Sequence, residues 1–211
     1  MALSPQQLQK KRAKKAAKRR ETQTHRAPPA STNTRRQWLL GVDSPIHEVC
    51  LNDDVFDSGM GSLIFCRRSG DGFFIVAVFL LDAYCLGVKN VIQTVMTPDE
   101  YLMLKQGLTQ SHGCALGRIE PAKGRRLLEE LVAWSRNLGF EPHAEYRDAA
   151  KILGDIPHEA HGKNFAFGRD GKPFYMSGPN ETPARIEKII AQLEKKCGKD
   201  GFDYMVGDIG F

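Results

Sequence analysis

The sequence predicts an α+β domain, antiparallel β-hairpins packed with about four helices and preceded by a disordered basic tail. Three observations carry this expectation. An apolar run at 73–81 has no polar face and lies between β-rich segments punctuated by the turn Ser69-Gly70-Asp71-Gly72, which suits a hairpin. Two later segments open on Pro121 and Pro183 and then repeat apolar residues at helical spacing. Residues 1–36 hold eleven Lys and Arg against a single acid, Glu21.

That charge is unevenly shared. The 211-residue chain has 30 Lys and Arg and 25 Asp and Glu, so 1–36 carries +10 and 37–211 carries −5. We read 1–36 as tail and linker and 37–211 as one domain, which is long enough for a proper core. Within the tail, Ser4 and Pro5 resemble a helix start. Like charges four apart (Lys10 and Lys14, Lys11 and Lys15, Lys14 and Lys18) oppose an isolated helix, so disorder is expected. Residues 27–34, with Pro28 and Pro29, read as linker.

From Trp38 the composition becomes globular. The segments 61–68, 72–81 and 83–96 are rich in Phe, Val, Ile and Leu, with 73–81 as a central strand and Leu63, Phe65, Val91, Gln93 and Val95 as its neighbours. Thr97-Pro98-Asp99-Glu100 forms a capping box opening a short helix to about residue 105. A longer helix from Pro121 carries Leu127, Leu128, Leu131, Val132 and Leu138 on one stripe and stops at Gly139. Residues 141–153 read as a third helix, and 163–177 as a hairpin about Asp170-Gly171. Thr182 and Pro183 cap the last helix, whose Ile186, Ile189, Ile190 and Leu193 lead to a stop at Gly198.

Chemistry concentrates at 79–89, Phe-Leu-Leu-Asp-Ala-Tyr-Cys-Leu-Gly-Val-Lys, where a carboxylate, a thiol and an amine follow the apolar strand. If the strand continues, Asp82 and Tyr84 share one face, Ala83 and Cys85 the other, and Gly87 admits a bulge that re-aims Lys89. One reading is an active-site edge, with Asp82 as acid/base or metal ligand and Lys89 as phosphate contact. The other is a structural Asp82 to Lys89 ion pair with Cys85 in the core. His143 follows Pro142 in the first turn of the expected third helix, and a thiolate pair with Cys85 is a further arrangement to test. Asp155, His158, Glu159 and His161 crowd the next loop. Asp155, His158 and His161 have ligand chemistry for a first-row metal, but no helix aligns them and no H-E-x-x-H occurs, so no metal site is assigned. No cofactor signature is present: neither G-x-G-x-x-G nor a Walker sequence occurs. The loop 177–182 precedes a helix and offers an anion site. Phe165, Phe167, Phe174 and Tyr175 lie near Lys163, Arg169 and Lys172, a combination that serves either base stacking or a core.

The 79–89 motif, together with Gly139-Phe140-Glu141-Pro142-His143 and Ala150-Lys151-Ile152-Leu153-Gly154-Asp155-Ile156, resembles motifs of a bacterial protein family of unassigned function. The resemblance covers about half of the body, leaves out the basic tail and implies no activity.

The charge distribution points first to a nucleic-acid-associated protein, binding RNA or a ribonucleoprotein. Lys10, Lys11, Arg12, Lys14, Lys15, Lys18, Arg19 and Arg20 would supply phosphate contacts. A targeting segment is the competing reading of the same residues, although 10–20 offers only Ala13, Ala16 and Ala17 as a lipid-facing side. One alternative is a hydrolase with Asp82, Lys89, His143, Asp155 and His158 in one pocket. Another is a protein-interaction module using the surface of the helix at 121–138. Five dispersed cysteines without a C-x-x-C pair suit the reducing cytoplasm. The longest apolar stretch, nine residues, is about half a bilayer span, so membrane insertion is not expected.

Overall fold

Strands β1 (Ile46–Asn52), β2 (Met60–Arg68), β3 (Phe74–Asp82) and β4 (Gly87–Met96) run as an antiparallel meander. β5 (Leu116–Ile119) adds antiparallel to the outer edge of β1, giving the order β4-β3-β2-β1-β5. The computed structural model describes residues 32–158, 162, 165–179 and 181–207. Lys10, Lys11, Arg12, Lys14, Lys15, Lys18, Arg19 and Arg20 of the tail lie outside those residues, as do Glu159, His161, Lys163 and Asn180.

β3 is central, and its apolar run is covered on both faces. Phe79 pairs with Leu63 and Val91, Ala77 with Phe65 and Gln93, and Ile75 with Val95, the neighbours expected from the sequence. On one face Phe65, Ala77, Phe79 and Leu81 meet Leu127, Leu128 and Leu131 of α4 (Pro121–Asn137). On the other, Ile64, Val76 and Val78 meet Tyr101 of α3 (Pro98–His112), the helix that links β4 to β5. A second, smaller core forms where α6 (Pro183–Cys197) and the parallel pair β6 (Phe174–Met176) and β7 (Asp203–Met205) pack against the β3–β4 turn.

The Thr97 capping box is present, with the Glu100 amide 3.3 Å from the Thr97 hydroxyl and the Thr97 amide 2.8 Å from the Glu100 carboxylate. α3 nevertheless runs past residue 105 to His112. Leu104 and Leu108 pack under the sheet, and that burial carries the helix through Gly107. The expected third helix breaks up: only α5 (Tyr146–Ala149) and a 3-10 turn (Ala150–Leu153) form. Pro142 disfavours helical geometry at Glu141, and the amide of His143 donates to the Val88 carbonyl (2.9 Å). The turn at Asp170-Gly171 forms, with Arg169 and Lys172 exchanging backbone bonds, but its arms do not make a hairpin. Phe174–Met176 pairs with β7 instead, while Phe165 and Phe167 lie against Phe56 and Trp134.

A helix stands where the sequence read linker. α1 (Thr32–Gly41) crosses the expected boundary at residue 36 and delivers Trp38 into the main core, where its indole N–H donates to the Val76 carbonyl of the central strand at 3.1 Å. A short turn, α2 (Val55–Ser58), joins β1 to β2. Buried Arg67 of β2 closes the far side, donating to the carbonyls of Ser44, Ile152 and Leu153 and to the Asp155 carboxylate.

Candidate functional site

β3 ends at Asp82, and 83–86 is a turn rather than more strand, so the expected alternation of Asp82, Tyr84, Ala83 and Cys85 does not arise. The Asp82 carboxylate folds back and accepts the amides of Tyr84 (3.1 Å) and Cys85 (2.8 Å), holding the turn shut. Gly87 leaves the turn at φ +72°, where a side chain would strike Ser135 of α4. The expected bulge follows: Leu81 pairs with Val88 and Leu80 with Asn90, so Lys89 is the unpaired extra residue and leaves the ladder.

Lys89 projects into an open cleft of about 440 Å³ between the start of β4, the segment 139–144 and the first turns of α6. Two of the quoted motifs, fifty residues apart in sequence, therefore line one site. His143 is brought there by its backbone bond to Val88, and its Nδ1 accepts the Glu145 amide (3.3 Å), which leaves Nε2 for a ligand. Gly139, at φ +89°, turns the chain off α4 and into the cleft wall, with Gln192 of α6 directly against it and bonded to the Leu138 carbonyl (2.9 Å). Leu86, Val88, Phe140, Pro142 and Ile189 supply an apolar lining, continuous with the second core.

Glu181, the residue before the Thr182 cap, organises the cations. Its carboxylate accepts the Tyr175 hydroxyl and the Gly178 amide (3.2 Å), while Lys89 Nζ and Arg185 Nε lie 3.9 and 3.7 Å from one of its oxygens. Burial and then the bond to Glu181 raise the Tyr175 phenol, keeping it a donor. The internal carboxylate thus takes the Gly178 amide of the loop read as an anion site. Lys188, one turn beyond Arg185, completes the cationic lining. Glu141, also at the cleft, is paired with Arg136 at 3.0 Å.

The remaining candidates do not converge. Asp82 is buried beneath the cleft and does not line it, and Lys89 pairs with Glu181 rather than with Asp82. Burial pushes the Asp82 carboxyl up to about 6, against the pull of Lys89 and the turn amides. Cys85 is fully buried, and burial drives its thiol well above the ordinary range, which removes the thiolate pair with His143. Asp155 serves Arg67, and His158 lies 3.0 Å from Glu129, so the five residues of the hydrolase reading do not share a pocket. Among the described residues no group of three or more His, Cys, Asp or Glu is placed to hold a metal, and no helix is long and apolar enough to cross a membrane. Phe165 and Phe167 are part-buried against Phe56 and Trp134, and Phe174 and Tyr175 are buried. Along α4, Lys123, Ala133, Arg136 and Asn137 are exposed, and Arg125, Arg126, Glu129 and Glu130 are part-exposed.

Arg185 and Lys188 were missed by the sequence reading. They sit three apart and off the apolar stripe of α6, a pattern that marks a shared face but not the strand it meets. No protein-family model, curated protein or solved structure matches this chain.

Proposed function

We propose that this chain is a cytoplasmic nucleic-acid-associated protein, with RNA or a ribonucleoprotein as its partner. The observation that carries the reading is the charge division: +10 on residues 1–36 against −5 on the remainder. A polyanion gains by neutralising such an arm because each phosphate contact releases condensed counterion, while the acidic body is repelled and left free for another task. Five free cysteines support a reducing compartment.

α1 begins at Thr32, so truncation at residue 36 would cut into a helix that anchors the core. The test therefore keeps the full chain and replaces Lys10, Lys11, Arg12, Lys14, Lys15, Lys18, Arg19 and Arg20 by Gln. Fluorescence anisotropy with single-stranded RNA and duplex DNA is read across a salt series. If all eight charges engage single-stranded RNA, the slope of log affinity on log salt falls in magnitude by roughly 5 to 6 in the variant. Equal slopes for both proteins would refute the reading and leave the arm as a targeting or solubilising segment.

A further inference from the structure

We infer that the cleft between β4, the segment 139–144 and α6 is a binding site for a phosphate monoester carried on an apolar or ring-bearing body. Three cations, Lys89, Arg185 and Lys188, meet there against one carboxylate, Glu181, and the other acid at the cleft, Glu141, is engaged by Arg136. The cations at the cleft outnumber its unpaired acids by two, with Asp82, buried and outside the lining, as the further carboxylate that Lys89 feels. Three cationic side chains around one space suit the several oxygens of a phosphate monoester dianion and exceed what one carboxylate needs.

The site is built for this purpose from both sides. Lys89 is displaced from the ladder by the bulge, its side chain only 16% exposed, and Glu181 holds it and Arg185 beside one oxygen. With Nδ1 accepting the Glu145 amide, His143 Nε2 adds an N–H donor to the cleft lining. Leu86, Val88, Phe140, Pro142 and Ile189 give the body of the ligand an apolar surface, in a volume of about 440 Å³ that suits a small molecule. A free mononucleotide and the phosphorylated end of a nucleic-acid strand both supply this chemistry.

The inference is independent of the arm, and the experiment separates them. The full chain is titrated calorimetrically with AMP, adenosine and succinate, and with a short oligonucleotide bearing either a 5′-phosphate or a 5′-hydroxyl, at salt high enough to suppress arm contacts. The variants are Arg185→Ala/Lys188→Ala, both exposed on α6, and Lys89→Met. AMP or the phosphorylated strand should bind at least tenfold tighter than its unphosphorylated twin, and the double variant should weaken that binding roughly 100-fold, about tenfold per charged contact, with the unfolding midpoint unchanged. Binding of AMP alone assigns a free metabolite, and preference for the phosphorylated strand alone assigns a strand end; each supports the site. No preference for the phosphate in either pair, succinate binding as tightly as AMP, or undiminished binding by the double variant would overturn it. The Gln-substituted arm variant should bind AMP as the parent does, so failure of the arm reading leaves this result intact.

Discussion

Arg67 offers the sharpest test of how this fold is held together. Its guanidinium is 1% exposed and joins three carbonyls, those of Ser44 (2.6 Å), Ile152 (2.8 Å) and Leu153 (3.1 Å), to the Asp155 carboxylate (2.9 Å). Arg67→Met keeps most of the aliphatic volume and removes every donor. The Ser44 carbonyl lies on a half-exposed residue and can recover water, and the Leu153 carbonyl keeps the Ile156 amide (2.8 Å), whereas the carbonyl of buried Ile152 loses the guanidinium bond with no water to replace it. At about 1–3 kcal/mol for the buried Ile152 acceptor left unsatisfied and about 0.5–1.5 kcal/mol for the bond lost at Leu153, the expected loss is roughly 2–4 kcal/mol, a large part of a typical domain's stability. Asp155 is 86% exposed, so Asp155→Asn should barely move the unfolding midpoint even though the same guanidinium is involved. Urea denaturation of both variants decides the matter, provided m is unchanged. An Arg67→Met loss below about 1 kcal/mol would show that carbonyl satisfaction does not hold the clamp, and an Asp155→Asn loss as large as that of Arg67→Met would show that charge pairing does.

Trp38→Ala should cost about 3–5 kcal/mol, and Trp38→Phe roughly 1–2 kcal/mol for the lost indole bond and volume, both read by urea unfolding; near-neutral values would detach α1 from the domain. Asp82 holds its proton up to about 6 in the folded state against 3.8 for an ordinary aspartate, so the folded state binds more protons across that window and stability falls as pH rises through it. Asp82→Asn keeps the acceptor that closes the turn and removes this dependence; its stability relative to the parent should improve by about 1 kcal/mol or more between pH 4 and pH 7, and a pH-independent difference would contradict the assignment. Glu48 runs the other way: burial works against its charge, but Lys105, Tyr101 and Arg118 outweigh it and lower the carboxyl from 4.5 to about 2. Its contribution is present above about 4.5 and is lost as pH falls toward 2; Glu48→Gln should cost about 1–2 kcal/mol at pH 7 and progressively less in acid, measured by thermal unfolding across pH.

The sheet was legible because its signal is local and redundant. A run apolar on both faces identifies β3, and the turn at 69–72 sets it beside β2, with Phe79 opposite Leu63; the turn at 83–86, which sets Phe79 opposite Val91, was hidden because Asp82 to Cys85 reads as more strand. α1 was not legible, because Trp38, Leu39 and Leu40 are contiguous rather than helically spaced and both leucines stay exposed, so no stripe announces the helix. Its reason to exist is the tryptophan pocket on β3, a tertiary fact. Half of the cleft was visible in Lys89 and His143, whose residue types attract attention, although the route that joins them, an amide bonded across to Val88, leaves no mark in composition. The other half depends on where α6 docks. Periodicity revealed that helix and its buried Ile186, Ile189 and Leu193, but not which neighbour would receive Arg185 and Lys188.

The bulge at Lys89 has an unusual consequence for parity. Val88 and Val91 are three residues apart, an odd separation that should send them to opposite sides of a strand, yet both enter the same core. They do so because Lys89 takes up one position without a partner. Excising Lys89 would therefore leave Leu81 opposite Val88 and Leu80 opposite Asn90, with every other pair of β3 and β4 unchanged. The hairpin has no need of this residue for its own register. Shortening the chain by that one lysine would take a cation out of the cleft while sparing the alternation on which both cores depend, a separation of site from scaffold that a lysine in regular pairing would not permit.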